Sequence, residues 1–187
     1  MNHQFLTDFV FWDSVPNHQQ NKDALLPLIM QNLEKTQGKQ KDKWMCEVNT
    51  EFFDSHESYQ KYISLIINCI YPALDNMFKE IPIIQPKVSK VSNIWYNYYQ
   101  EGHTQEIHSH SSKPTFSGIY VLNADEVNKT VFYSYGASLI SYTKQSKQLT
   151  EVKEGNIVLF PSNLLHYVLP CEAERITIAF NIDCEFN

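Results

Sequence analysis

Nowhere do these 187 residues contain a run of about 18 apolar residues, so no membrane-spanning helix is expected. A C-x-x-C pair is also missing. Cys46, Cys69, Cys171 and Cys184 stand far apart, which excludes a small disulfide scaffold and suits reduced core thiols. Basic charge is in deficit: the formal charge is −6 and the pI about 5.6, which argues against sequence-independent binding of nucleic acid. Nor does the N-terminus carry a basic leader, and Asp8 and Asp13 interrupt its apolar stretch, unlike a secretory signal. No internal repeat appears, and nothing is of low complexity beyond a polar turn at 37–43. The expectation is a soluble, cytoplasmic protein whose residues 1–187 form one domain with a good core.

What is present changes character once along the chain. Within residues 1–86 the spacing predicts a helix over Asp23–Thr36, where Leu25, Leu26, Ile29 and Leu33 mark an apolar face. A second is predicted over Glu57–Lys79, with Ser55 as N-cap and Pro72 as a potential kink. The stretches before them, Phe5–Phe11 and Trp44–Phe53, are aromatic and β-branched enough to be strands. From Lys87 onward the chain reads as strands: Val88–Tyr99, Ser117–Leu122, Thr130–Tyr135, Ser138–Thr143, Asn156–Phe160 and Arg175–Ile182, parted by polar turns such as Glu154-Gly155. The fold class is therefore α+β, with N-terminal helices bracing a barrel or sandwich formed by 87–187.

The chemistry-bearing residues lie in that second half. His108 and His110 form an H-x-H pair, and in a strand residues i and i+2 point to the same face. His166 is a distant third imidazole. Three neutral imidazoles suit Fe, Zn, Cu or Ni and leave coordination positions open for water, oxygen or a chelating substrate. Nine residues on, Arg175 opens an apolar strand, with Thr177 on its face. A guanidinium beside a metal is a fixed cation whose planar fork fits a carboxylate, which points to a small organic acid at the metal. Glu101, Glu106 and His103 are the alternative donors nearby. His3, His18 and His56 read as surface or capping residues, and Trp95–Tyr99 as core and barrel lining.

Several segments, taken in order, carry a resemblance: Trp95-Tyr-Asn-Tyr-Tyr, Ile107-His-Ser-His, Ser117-Gly-Ile-Tyr-Val-Leu, Val158-Leu-Phe-Pro-Ser, His166-Tyr-Val and Arg175-Ile-Thr-Ile-Ala-Phe-Asn. Over roughly residues 93–182 the chain resembles the 2-oxoglutarate/Fe(II) dioxygenases of marine bacteria and their phages. The resemblance implies a double-stranded β-helix, or jelly roll, and a place of action that includes the cytoplasm of a phage-infected host. It implies Fe(II) held by His108 and His166, with His110 where most of the superfamily has a carboxylate. It also implies 2-oxoglutarate anchored by Arg175 and Thr177, with Tyr98 or Tyr120 hydrogen-bonding it. The activity implied is a hydroxylase that turns 2-oxoglutarate and O2 into succinate and CO2.

Two other readings use the same residues. Gly102 before His108-x-His110, and Gly155 before Pro161 and His166, match much of a cupin motif, although Pro114 and Thr115 stand where its glutamate belongs. That would make a three-His metal dioxygenase on the same fold. A jelly roll can also be a non-catalytic binding module. The prime substrate is open between an amino acid, a peptidyl residue and a nucleobase, because specificity would lie in loops near 101–104, 111–115 and 126–130. Histidine ligation further predicts metal binding that weakens as pH falls through about 6.5.

Overall fold

A computed structural model describes residues 8–36, 48–53, 60–81, 87–110, 115–125, 127–133 and 146–185. The predicted strand Ser138–Thr143, the N-cap Ser55, the turn at 37–43, and Cys46, His3 and His56 lie outside the described residues. The elements run β1 (Phe11–Ser14), α1 (His18–Thr36), β2 (Asn49–Phe52), α2 (Gln60–Glu80), β3 (Lys87–Tyr99), β4 (Gln105–His108), β5 (Phe116–Ala124), β6 (Thr130–Tyr133), β7 (Ser146–Gln148), β8 (Asn156–Pro161), β9 (Leu165–Val168) and β10 (Arg175–Glu185). Among the described residues no helix is long and apolar enough to cross a membrane.

Both predicted helices form. Helix α1 begins at His18 rather than Asp23, because its first turn turns polar side chains inward and so leaves no apolar periodicity to read. There Asn21 donates to the Pro16 carbonyl and to Cys69 Sγ, and His18 bonds Tyr120. His18 thus joins the sheet rather than serving as a surface or capping residue. Helix α2 runs through Pro72 on its exposed face, while Ile66, Ile70, Leu74 and Met77 recur at helical spacing and are buried.

The strands pair antiparallel in two sheets, β1-β8-β5-β10-β3-β2 and β4-β9-β6-β7. Alternation divides the large sheet cleanly. On β3, β5 and β10 the even residues, among them Tyr96, Tyr120, Ile176, Ile178 and Phe180, join α1 and α2 in the principal core. Helices and β-half therefore share one core, and a cavity mutation such as Ile70→Ala should cost ~2–5 kcal/mol. Odd residues of the same strands face the small sheet. A second cluster of Val121, Phe132, Leu149, Val158, Phe160 and Leu164 fills part of that space. Gly118 lies where β5 crosses Phe180 of β10, and a Cβ there would come within 2.2 Å of the Phe180 ring.

The short strands β4, β7 and β9 were not predicted, since three or four residues are too few to show an alternation. They matter most for function. β4 and β9 pair with His108 opposite His166, and β6 pairs β9 with Phe132 opposite His166.

Candidate metal centre and acid-binding pocket

His108, His110 and His166 come together at the mouth between the sheets, with one ring nitrogen from each lying within 4.8 Å of the others. Two of them are oriented by their own strands. His108 Nδ1–H donates to the Glu106 carbonyl at 2.8 Å, and His166 Nδ1–H donates to the Leu164 carbonyl at 3.0 Å. Each bond fixes the tautomer that puts the ring's lone pair on Nε2, the nitrogen that would meet a metal. His110 differs, for β4 ends at His108 and His110 lies beyond it. The i, i+2 strand argument is thus corrected. Its backbone N–H instead bonds the Ser162 carbonyl at 2.7 Å, and its ring stacks on Trp95 at 5.4 Å and 21°.

Burial keeps the imidazoles neutral. It pushes His166 down to about 3, with the neighbouring histidines adding to the effect, and His110 down to about 4. His108 is lowered by the same cause. The expected loss of metal near pH 6.5 is therefore moved to lower pH, because the folded site resists protonation long after a free histidine would accept it. The alternative donors do not join: Glu101 and Glu106 are exposed, and His103 is buried in the loop after β3 outside the triad.

Arg175 is 1% exposed and lines the same pocket as the histidines. Its Nη2 donates to Asn128 Oδ1 at 2.9 Å and to Thr130 Oγ1 at 3.0 Å, and its guanidinium lies 5.7 Å from the Tyr99 ring centroid. Among the described residues, Nε and Nη1 have no hydrogen-bond partner. A buried cation without an anion is costly, and a carboxylate from outside the chain would offset that cost. Thr177 lines the pocket beside it. Asn97, opposite Thr177 in register, accepts from Thr50 Oγ1 at 2.7 Å. That bond turns the amide nitrogen of Asn97 away from β2, on a side chain that lines the pocket. The space between these side chains is about 390 Å³, open solvent at its mouth included.

Five of the seven residues expected at the site are thus brought together: His108, His110, His166, Arg175 and Thr177. Tyr98 and Tyr120 are not. Tyr98 Oη donates to Glu174 Oε2 at 3.0 Å, and Tyr120 Oη bonds His18 Nδ1 at 2.7 Å on the helix side. Both are even residues on strands whose odd residues face the pocket. A shift of one residue reverses the face, and Tyr99, directly opposite Arg175, takes the place expected of Tyr98. The residues missed were Asn97, Tyr99, Asn128 and Thr130. Alternation along β3 groups Asn97 with Tyr99 but does not say which face meets the pocket, and nothing local marks Asn128 or Thr130.

The site's donors fit Fe(II) and an organic acid, and comparison with known proteins agrees. Residues 93–181 match the family described as "Putative 2OG-Fe(II) oxygenase". No curated protein sequence matches the chain. The fold is similar to a prolyl hydroxylase from Trichoplax adhaerens in complex with a hypoxia inducible factor oxygen degradation domain peptide fragment, at 12% identity and TM-score 0.68 over 93% of this chain and 83% of that one. It is similar to the viral collagen prolyl hydroxylase of Paramecium Bursaria Chlorella virus-1 in its 2OG complex, at 13% identity and TM-score 0.60 over 95% and 96% of the two chains. HygX from Streptomyces hygroscopicus, with nickel and 2-oxoglutarate bound, superposes at 9% identity and TM-score 0.64 over 95% of this chain and 83% of that one. These likenesses show the jelly-roll fold, and the family match selects 2-oxoglutarate over the cupin reading. Over residues 93–181 the chain is thus similar to the 2OG-Fe(II) oxygenases, oxidoreductases that use Fe(II) and 2-oxoglutarate.

Proposed function

We propose that His108, His110 and His166 hold the Fe(II), that Arg175 and Thr177 hold 2-oxoglutarate, and that the protein hydroxylates a peptidyl residue. We read residues 1–187 as one such domain, with 1–86 as support. The observation that carries the site assignment is the buried Arg175, unpaired at Nε and Nη1, in one pocket with three inward imidazoles. Metal and guanidinium together present positive charge at both ends of a short pocket, and 2-oxoglutarate is a dianion charged at both ends. When bound, the iron with O2 and 2-oxoglutarate supplies the oxidising chemistry, yielding succinate and CO2 and oxidising a C–H bond of the prime substrate.

The chain's own residues do the rest. Asn128 and Thr130 hold Nη2 of Arg175 so that its remaining nitrogens stay aimed at the pocket. Tyr99 covers the guanidinium and is pinned through its hydroxyl to Gln105 Oε1 at 2.8 Å. Phe160 and Phe132 pack against His166, keeping water from its ring and holding its orientation.

The peptidyl reading rests on the pocket mouth. Exposed Phe52 lies at the end of β2, which ends the large sheet among the described residues, and its ring sits 5.6 Å from Trp95, which stacks on His110. An aromatic step beside a strand edge fits an extended peptide. The free thiols of Cys69, Cys171 and Cys184 suit a cytoplasmic place of action. The test is binding of 2-oxoglutarate to anaerobic Fe(II)-loaded protein, read by the metal-to-ligand charge-transfer band, followed by succinate release with O2. Peptide libraries should raise succinate release above the uncoupled rate. A rise with free amino acids or nucleobases instead would replace the substrate class, and no binding by wild type would overturn the site assignment.

A further inference from the structure

We propose that Asn97, its amide turned by Thr50 of the outer strand β2, donates a hydrogen bond to the metal-side end of 2-oxoglutarate, with Thr50 as its positioning residue. The inference rests on the reading that 2-oxoglutarate spans the pocket from Arg175 to the histidines.

The floor of the pocket is a ladder of three rungs between β3 and β10. Tyr99 stands opposite Arg175, Asn97 opposite Thr177 and Trp95 opposite Ala179, and all six residues line the pocket. Residues i and i+2 share a face, so neighbouring rungs lie roughly 7 Å apart. The first rung is the acid anchor, where the Arg175 guanidinium lies 5.7 Å from the Tyr99 ring centroid. The third rung touches the histidines, because Trp95 stacks on His110 at 5.4 Å. A short dianion stretched from anchor to metal must cross the middle rung. There Asn97 is the side chain that can bring N–H donors to the oxygens beyond the anchor.

Asn97 is oriented for that donation. It is only 5% exposed. Thr50 stands directly opposite it on β2, and Thr50 Oγ1–H donates to Asn97 Oδ1 at 2.7 Å. That bond occupies the amide oxygen and leaves the nitrogen on the other side. Among the described residues the nitrogen has no partner, and a buried N–H group without one carries a desolvation cost that an acid oxygen in the pocket would remove. An amide released from Thr50 can turn over and present its oxygen to the dianion, which repels it. The hydroxyl of Thr50 thus decides whether the contact attracts or repels.

Strand β2 is itself held in place. Glu51 faces the helices, where it accepts from Asn32 Nδ2 and, at 3.0 Å, from Tyr96 Oη. On the pocket side Phe52 packs on Trp95 at 5.6 Å. Thr50 is half-buried and does not line the pocket, so its hydroxyl acts on the ligand through Asn97.

The experiment titrates 2-oxoglutarate into anaerobic Fe(II)-loaded protein and follows the charge-transfer band. Wild type is compared with Asn97→Ala, Asn97→Asp, Thr50→Val, Thr50→Ser and the double variant Thr50→Val/Asn97→Ala. Fe(II) uptake without the acid and the urea midpoint report on the fold of each. Loss of a hydrogen bond to a charged group should weaken binding roughly 10- to 100-fold in Asn97→Ala. Asn97→Asp should be at least as weak, since a carboxylate there repels the dianion. Thr50→Val keeps the branched shape without the hydroxyl and should lose roughly 3- to 10-fold, whereas Thr50→Ser should recover wild-type affinity. The double variant should be no weaker than Asn97→Ala, the non-additivity of two residues that act as one. Wild-type affinity in Asn97→Ala or Asn97→Asp overturns the proposal and leaves the Arg175 anchor standing. Equal losses in Thr50→Val and Thr50→Ser, or additive losses in the double variant, overturn the positioning role. Should Asn97→Ala not fold, Asn97→Asp and the two Thr50 variants decide in its place. A wild type that binds no 2-oxoglutarate overturns the reading of the pocket and this inference with it.

Discussion

His108 and His166 stand directly opposite each other on paired strands β4 and β9, with ring centroids 4.2 Å apart. Antiparallel pairing supplies that proximity, and each ring's bond to its own strand supplies the direction. Residues 58 positions apart in sequence (166 − 108) thus form two-thirds of the proposed metal centre.

Replacing His166 with alanine should remove the buried member of the triad and lower Fe(II) affinity by at least 10-fold, as is typical when a metal site loses support. His110→Ala should do the same. Calorimetric titration under nitrogen measures both, and wild-type stoichiometry in His110→Ala would reassign the third ligand.

Arg175→Met should weaken 2-oxoglutarate binding while leaving metal uptake unchanged. Leaving a buried charge uncompensated typically costs ~3–5 kcal/mol, which is roughly a 100-fold to several-thousand-fold change in Kd. Arg175→Lys should fall between, since an ammonium lacks the planar fork. The charge-transfer band of the iron-loaded protein reads both variants.

Alternation along β3 predicts opposite outcomes for neighbouring tyrosines. Tyr98→Phe removes a hydroxyl bonded to Glu174 on the far face and should leave 2-oxoglutarate affinity unchanged. Tyr99→Leu removes the ring that covers Arg175 and should weaken binding several-fold, in line with the ~0.5–2 kcal/mol of a cation–π contact. Equal effects in the two variants would place the wrong face toward the pocket.

The pH dependence follows from the lowered histidines. Unfolded histidines take up protons near pH 6.5, whereas in the folded protein His110 does so only at about 4 and His166 at about 3. Below the unfolded value the unfolded state binds more protons, so stability of the metal-free protein should decline steadily as pH falls from about 6.5 toward 4. Fe(II) affinity should stay nearly level from pH 8 to about 5 and then drop. Denaturant midpoints and titrations across that range test it, and a midpoint that rises on acidification would contradict the sign.

Gly118→Ala should destabilise the fold by ~1–3 kcal/mol, the usual cost of overpacking, because its methyl would meet the Phe180 ring. Urea unfolding measures the loss.

Much was legible in the sequence because it is carried by local pattern. Apolar periodicity marked α1 and α2, β-branched runs marked β3, β5, β8 and β10, and the spacing of His108, His110, His166 and Arg175 marked the chemistry. Other features were decided by the tertiary structure, since they depend on which face a strand presents and which distant residue it meets. Residue alternation does not say which side of β3 faces the helices, so Tyr98 was preferred where Tyr99 belongs. No local signal links Asn128 and Thr130 to Arg175, because those partners meet only when β6, the chain just before it and β10 are folded over one barrel. The residues that bear the chemistry are written in the sequence, and the residues that aim them exist only in the packed sheets, where burial makes each unsatisfied polar group seek a partner.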